Sequence, residues 1–445
     1  MKEIFLVNGN GRGTALFVPS RGLIMEVSEE EKKEIEAIID GSNPSFERLI
    51  ALFPEIDPNR LSAPINENGS RTGDDVFCPE SAVLFTTFNC HLRCVYCYAD
   101  AGTKKSNMTR ETAQIAIDFI ISNAKNSNQE ECFLGFHGGG EPTWNWPVFR
   151  FALEYFQEHA KENGLKHTVA LATNGMLSKY QINWIAKRLG AVQVSLDGFE
   201  EIQNLQRPTA NENNSFKIVS RAISSFLEKG VKMVIHAVVT ELGVERIPEI
   251  VDFLGKNFPG ATLHLEPAYA CGRGLTTGQQ FPSAEKFVKG FAEAYEVAES
   301  LDTELFYSGA GIQLSKFRKR FCGVYTPNFV VTPSGLVTAC NEVTDLNHPL
   351  AEYFIYGRLD QVGKRFVFDH QKIKRLRNYG LEISPECGNC FAQSYCSGDC
   401  LVKVLDETGQ KSAPFSNPRC KVNEELTKHF IIRQLSSTRK EKYRE

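Results

Sequence analysis

The sequence predicts an α/β protein built on a partial (β/α)6 TIM-like barrel, with a small α+β unit before it and a cysteine-rich region after it. Three observations carry this. Between residues 82 and 299, short apolar runs alternate six times with longer amphipathic stretches. Such alternation implies parallel strands joined by crossover helices. The first apolar run leads directly into three cysteines within eight residues, Cys90-His91-Leu92-Arg93-Cys94-Val95-Tyr96-Cys97. The alternation stops near residue 300, and the turn-rich remainder holds seven of the other cysteines.

The elements follow in order. Residues 1–77 show extended runs at 3–8, 14–18 and 22–26, then an acidic helix after Ser28 and a short helix near 44–53. This pattern suits a small winged-helix-like domain; a decoration packed on the barrel is the alternative. Residues 55–76, rich in Pro, Asn, Gly and Asp, read as a linker. Strands are expected at 82–88, 131–137, 168–172, 191–196, 231–239 and 261–267. Helices are expected at 109–124, 147–163, 179–188, 216–229, 246–257 and 283–299, the first capped by Thr109. A complete barrel needs two more units, so this one is partial. Beyond it, a hairpin at 328–339 turns at Pro333-Ser334-Gly335, and a closing helix spans about 423–434. The expected domains are 1–77, 78–305 and 306–445.

Composition narrows the class. A net charge of −4 gives no support for nucleic-acid binding or a polybasic membrane patch. The local basic run from Lys316 to Arg320 reads as a solvated helix face. The N-terminus lacks the apolar stretch of a signal peptide, and no uninterrupted apolar run is long enough for a membrane span. A cytoplasmic location follows as the expectation. In that reducing compartment, thirteen cysteines read as metal ligands rather than disulfides. Cys132, mid-strand, reads as a buried core thiol.

A loop holding three thiolates can wrap a soft metal centre, iron–sulfur or zinc. The CxxxCxxC spacing, with Tyr96 before the last cysteine, resembles the signature of the radical SAM superfamily. That resemblance implies that Cys90, Cys94 and Cys97 hold a [4Fe–4S] cluster whose open iron binds S-adenosylmethionine (SAM). The second strand ends in Gly138-Gly139-Gly140-Glu141-Pro142. Glycines let backbone approach a ligand, and a carboxylate pairs with an amine. A bare glycine-rich turn is the alternative. The string resembles the family's GGEP motif, which implies that Gly139, Gly140 and Glu141 hold the SAM amino group. Thr173-Asn174-Gly175 and Ser195-Leu196-Asp197-Gly198, followed by Arg207-Pro208, resemble later strand ends of the family. The implied SAM contacts are Tyr96, Thr173, Asn174, Ser195 on the ribose, Asp197, and Arg207 facing the carboxylate. Gln203-Asn204 stand where His-Asp is common, so the family pattern is broken there. Leu265-Glu266-Pro267, then Gly272-Arg273-Gly274, resembles the segment along the adenine and adds Glu266.

The later cysteines form a second pattern: Cys322, Gly335, Cys340, then Cys387-x2-Cys390-x5-Cys396-x3-Cys400, and Cys420. A zinc ribbon from the four at 387–400 would leave Cys322, Cys340 and Cys420 without a purpose. The whole string resembles the SPASM extension of radical SAM enzymes. The resemblance implies two auxiliary [4Fe–4S] clusters, making three in all. Cys387, Cys390, Cys396 and Cys420 would ligate the outer one; Cys322, Cys340 and Cys400 would ligate the inner one. The inner set is one ligand short, leaving either an open iron or a site for Cys271 or Cys78. An open iron suits a substrate thiolate.

The resemblance implies that SAM is cleaved to a 5′-deoxyadenosyl radical that takes a substrate hydrogen, with electrons from a low-potential flavodoxin- or ferredoxin-type donor. Two SPASM substrate classes compete. Sulfatase-maturing enzymes form formylglycine and carry an Asp after the cysteine matching Cys340; here Asn341 and then Glu342 follow. Peptide maturases bind the leader of a ribosomally made precursor by strand addition to an N-terminal domain. The expectation is a peptide maturase forming Cys thioether bonds. Carbon–carbon or carbon–oxygen crosslinking is the alternative within that class. An iron–sulfur electron carrier is the non-enzyme alternative, and it needs no Gly-Gly-Glu strand end.

Overall fold

Alternating side chains divide the N-terminal strands between two hydrophobic cores. In the computed structural model, which describes residues 3–9, 11, 13–40, 46–53, 77–318, 320–379, 385–405, 409–410 and 417–442, β1 (Phe5–Asn8), β2 (Thr14–Val18) and β3 (Leu23–Val27) form an antiparallel sheet in that order. Leu16 and Val18 point to α1 (Glu29–Asp40) and α2 (Phe46–Leu52), where Ile35, Leu49 and Phe53 complete a core. Ala15 and Phe17 point the other way, to Tyr395, Ile431 and Ile432. Ser28 starts α1 with a reciprocal cap: its Oγ accepts from the Glu31 N–H, and its own N–H donates to Glu31 Oε2 at 2.6 Å. The expected linker at 55–76 lies outside the described residues.

The barrel strands are β4 (Ser81–Leu84), β5 (Glu131–Phe136), β6 (Lys166–Thr173), β7 (Ala191–Ser195), β8 (Lys232–Val239) and β9 (Thr262–Pro267). Their helices are α3 (Arg110–Asn126), α4 (Trp146–Glu162), α5 (Lys179–Ala186), α6 (Glu200–Gln206), α7 (Phe216–Leu227), α8 (Ile247–Asn257) and α9 (Ala284–Ser300). All six expected units are present, and Thr109 caps α3 by accepting from the Thr112 N–H at 3.1 Å. Two pieces are additional: the short α6 and a seventh parallel strand, β10 (Leu305–Phe306), beside β9. Strand β4 stops at Leu84 instead of 88. Thr86 donates to the Pro142 carbonyl at 2.8 Å and accepts from Asn145 Nδ2 at 2.9 Å, so the loop after β5 captures the chain.

The expected hairpin, β11 (Val330–Val331) and β12 (Leu336–Thr338), continues the same sheet rather than standing apart. Strand β11 pairs parallel with β4, and β13 (Ile355–Asp360) and β14 (Arg365–Phe368) follow antiparallel. Gly335 makes the turn at φ 81°, a left-handed conformation that glycine adopts without strain. Short helices α10 (Ala351–Phe354), α11 (His370–Tyr379), α12 (Pro385–Gly388), α13 (Gln393–Cys396) and α14 (Leu401–Val404) surround the cysteines. The closing helix α15 (Pro418–Lys442) is longer than expected because it packs on two neighbours. Phe430 meets Tyr295 of α9, while Ile431, Ile432 and Leu435 cover the N-terminal sheet. The basic run is a correction: Lys316 and Arg318 lie outside any helix. Phe317 turns inward onto Tyr395, with ring centroids 5.4 Å apart, and the Arg318 N–H donates to the Ser394 carbonyl. Cys132 is buried, as expected of a core thiol. No described helix is long and apolar enough to cross a membrane.

Phe17 is the keystone between the first sheet and α15, fully buried and stacked on Tyr395. Phe17→Ala is expected to cost about 3–5 kcal/mol of unfolding free energy. Urea unfolding checks this; a shift under about 1 kcal/mol would mean that the two layers are not cooperatively joined.

Candidate active site

The Cys90–Cys97 loop leaves β4 and is gripped from both sides. On one side it pairs with the end of α6 and the residues just after it: the Val95 N–H donates to the Gln206 carbonyl at 2.9 Å, and the Arg93 N–H to the Pro208 carbonyl at 2.7 Å. On the other side Arg273 donates to the Cys94 carbonyl at 3.1 Å and the Ala101 carbonyl at 2.6 Å. Gly272 permits this approach, because a Cβ there would lie 2.3 Å from the Cys97 carbonyl oxygen. The loop's own groups also face its thiols. The Leu92 N–H and Asn174 Nδ2 each donate to Cys90 Sγ at 3.4 Å, and the Ala101 N–H to Cys97 Sγ at 3.4 Å.

Two buried carboxylates fix the strand ends around this loop. Asp197, at the end of β7, accepts from the Tyr96 hydroxyl, from Gln206 Nε2 at 2.7 Å and from the Val238 N–H at 3.0 Å. It also pairs with Arg207 Nε at 3.0 Å. Arg207 reaches towards Cys94 Sγ (3.9 Å) and lies 5.3 Å from the Tyr96 ring centroid. Glu141, after β5, accepts from Thr143, from the Thr173 hydroxyl at 2.8 Å and from the Asn174 N–H at 2.7 Å. Its carboxylate thus ties β5 to the end of β6. The glycines before it are packed to the limit: a Cβ on Gly140 would lie 2.2 Å from the Asn89 carbonyl oxygen, and one on Gly139 would lie 2.5 Å from Phe85. Only bare backbone fits there.

The remaining predicted residues divide. Ser195 ends β7 beside His236 of β8. Burial, with His264 and Arg207 close by, holds the His236 pKa down at about 3, so it is neutral at pH 7. Glu266 is drawn away from the cysteine loop into a different network, accepting from His264 Nε2 and the Ser308 N–H, both at 2.9 Å. Burial alone would raise its pKa; His264 and Arg419 win and hold it at about 2. Gln203 and Asn204, the break in the family pattern, have scaffold roles. Gln203 Oε1 accepts from the Asp197 N–H at 2.9 Å, and Asn204 Oδ1 accepts from the first N–H groups of α7. Gln206, which binds Asp197, carries no sequence signal beyond its adjacency to Arg207-Pro208.

The later cysteines gather in two groups. Cys387, Cys390, Cys396 and Cys420 line one cavity. Cys340 is pushed up in pKa by burial and by the neighbouring Cys400, Glu342 and Cys322. Cys271 faces Lys403, Glu342 and Cys97 instead, and Cys78 is exposed. Tyr98 links the regions: it sits against Gly138 and is within electrostatic reach of both Cys97 and Cys340. Asn341 Nδ2 lies 3.2 Å from His137 Nδ1, and Glu342 pairs with Lys403 at 2.6 Å.

All thirteen cysteines are free thiols. Among the described residues, no three His, Cys, Asp or Glu side chains converge as tightly as a single metal ion requires. The donor chemistry suits iron–sulfur ligation: thiols only, with backbone and amide donors aimed at the sulfurs. Burial pushes Cys90 up to about 11 and Cys94 to about 12, so iron binding would displace their protons. Residues 84–254 match the model of the Radical SAM superfamily. The chain carries a radical SAM domain. It is 22% identical over 366 residues to the cysteine-type anaerobic sulfatase-maturating enzyme of Clostridium perfringens, covering 78% of this chain and 95% of that one. It is 26% identical over 333 residues to the mycofactocin maturase MftC of Mycobacterium tuberculosis, covering 71% and 76%. The fold matches native anSMEcpe with bound AdoMet and Cp18Cys peptide at TM-score 0.65 and 20% identity, covering 81% of this chain and 99% of that one. It matches Streptococcus suis SuiB bound to S-adenosylmethionine at TM-score 0.53 and 16% identity, covering 93% and 98%. Radical SAM domains use a [4Fe–4S] cluster and SAM. The matched radical SAM segment includes the Cys90–Cys97 loop, Glu141, Asp197 and Arg207, and ends before Glu266.

Removing one partner of a buried ion pair strands the other. Arg207→Met is expected to cost about 3–5 kcal/mol of stability. Adding Asp197→Asn should recover part of it, and a double-mutant cycle in urea measures the coupling.

Proposed function

We propose that this chain crosslinks a ribosomally made precursor peptide by radical SAM chemistry, forming thioether bonds from peptide cysteines. One observation supports the reading: the inner set, Cys322, Cys340 and Cys400, is one cysteine short of four, which would leave an iron open to a substrate thiolate. Residues 78–305 would carry the radical chemistry. Residues 306–445 would form a SPASM domain with an outer cluster on Cys387, Cys390, Cys396 and Cys420 and an inner one on Cys322, Cys340 and Cys400. Residues 1–77, as a winged-helix-like unit, would take the leader as an added strand on an open sheet edge.

Cys90, Cys94 and Cys97 would hold the first cluster, which when bound supplies the electron that cleaves SAM to methionine and a hydrogen-abstracting 5′-deoxyadenosyl radical. The protein's part is positioning and exclusion of water. Gly139 and Gly140 present bare backbone to the amino-acid end of SAM. Glu141, Thr173 and Asn174 lock that surface. Donors to Cys90 and Cys97 draw charge from the sulfurs and ease reduction. Each thioether breaks one C–H and one S–H bond and forms one C–S bond. The hydrogen atom goes to 5′-deoxyadenosine and the thiol proton to solvent. One electron is left over, and iron–sulfur clusters held by the C-terminal cysteine sets would be the acceptor for it. A flavodoxin- or ferredoxin-type protein would deliver the starting electron.

Likeness to the cysteine-type sulfatase-maturating enzyme favours a second reading, oxidation of a Cys or Ser to formylglycine. Asn341, where that class carries Asp, speaks against it.

The test is anaerobic incubation of reconstituted enzyme with SAM, reductant and the precursor peptide encoded beside its gene, followed by mass spectrometry after thiol alkylation. Two hydrogens lost for each alkylatable thiol lost is the expected result. Two hydrogens lost with every thiol still alkylatable would replace thioether formation by carbon–carbon or carbon–oxygen crosslinking. The Cys94→Ala variant should make no 5′-deoxyadenosine.

A further inference from the structure

One guanidinium joins residues beside three C-terminal cysteines to the barrel. Arg419, only 6% exposed, makes a two-pronged pair with Asp399, its Nε lying 3.0 and 2.9 Å from the two carboxylate oxygens. Its Nη1 lies 3.6 Å from Glu266 Oε2, at the end of β9. Its carbon centre is 4.8 Å from the Tyr269 ring, 5.5 Å from Phe321 and 6.0 Å from Tyr307. The neighbours in sequence matter. Phe321 precedes Cys322, Asp399 precedes Cys400, and Arg419 itself precedes Cys420. Thus one buried cation touches the residues before two cysteines of the inner set, itself precedes a cysteine of the outer set, and meets a carboxylate of the barrel.

The backbone is bent to permit it. Ser397, Gly398 and Asp399 are all left-handed, with φ of 51°, 80° and 62°. Only Gly adopts that region freely, and Asp is among the few others that tolerate it. The bend places the Asp399 carboxylate on Arg419 with Cys396 on one side and Cys400 on the other. A buried arginine needs such partners: its charge is offset here by two carboxylates and three ring faces.

We propose that Arg419 is a positioning residue whose buried charge sets the reduction potentials of the two auxiliary clusters and whose pair with Asp399 fixes them to the barrel mouth. This rests on the C-terminal cysteines being cluster ligands. Reduction adds negative charge to a cluster, so a nearby cation raises its potential and a nearby anion lowers it. Arg419 and Asp399 therefore act in opposite senses.

The test is an EPR-monitored redox titration of the full reconstituted chain, with iron analysis, for wild type, Arg419→Met, Asp399→Asn and the double variant. Arg419→Met should lower the potential of at least one auxiliary cluster and leave the Cys90/Cys94/Cys97 cluster unchanged. Asp399→Asn should raise an auxiliary potential, and the double variant should fall between the two. Wild-type potentials in an Arg419→Met protein of full iron content would overturn the proposal. Should that variant not retain its iron, Asp399→Asn decides alone: unchanged auxiliary potentials overturn the proposal. Failure of the cluster reading looks different, with about four iron atoms per wild-type chain instead of about twelve.

Discussion

The buried carboxylate of Asp197 is the constraint on which the first site depends. It is almost fully removed from water, and a buried carboxyl group persists only when its partners satisfy it. Here the partners are Tyr96 from the cysteine loop, Gln206 and Arg207 from the end of α6, and the Val238 N–H from β8. The cysteine loop is thereby fixed to three other pieces of the barrel by one oxygen pair. Glu141 repeats the device one layer along, binding β5 to β6. Asn174 then passes that order to Cys90. Ordered donors facing the sulfurs are what a cluster site needs before any metal arrives.

The second constraint is continuity. Because β11 pairs with β4, the strand that launches the cysteine loop is also the strand that receives the C-terminal hairpin. Cys340, just beyond the end of β12, and Cys90, in the loop that leaves β4, are therefore both led out of the same sheet. Helix α15 closes the circuit by carrying Cys420 at one end and the cover of the N-terminal sheet further along. The Cys90–Cys97 loop, the C-terminal cysteines and the N-terminal sheet are thus set on one framework.

Much of this was legible in the sequence, for local reasons. The six barrel strands and helices follow from apolar periodicity and caps, which depend on neighbours in the chain. The glycine string reads as backbone approaching a ligand; the contact seen is between Gly140 and the Asn89 carbonyl of the protein itself. What was not legible depends on distant contacts. Glu266 reads as a cofactor contact from its motif, yet it is held by Arg419, more than a hundred residues on. The length of α15 escaped because its apolar residues are shared between α9 and the N-terminal sheet, which blurs any single stripe. The parallel pairing of a two-residue strand with β4 leaves no periodic signal at all.

The most direct measurement is low-temperature EPR of the reduced, reconstituted protein before and after addition of SAM. If the Cys90–Cys97 loop leaves one iron for SAM, the signal of one cluster changes on addition and the change is absent in Cys97→Ala. A spectrum that SAM leaves untouched in the wild-type protein would contradict the assignment of this loop as the site of radical generation.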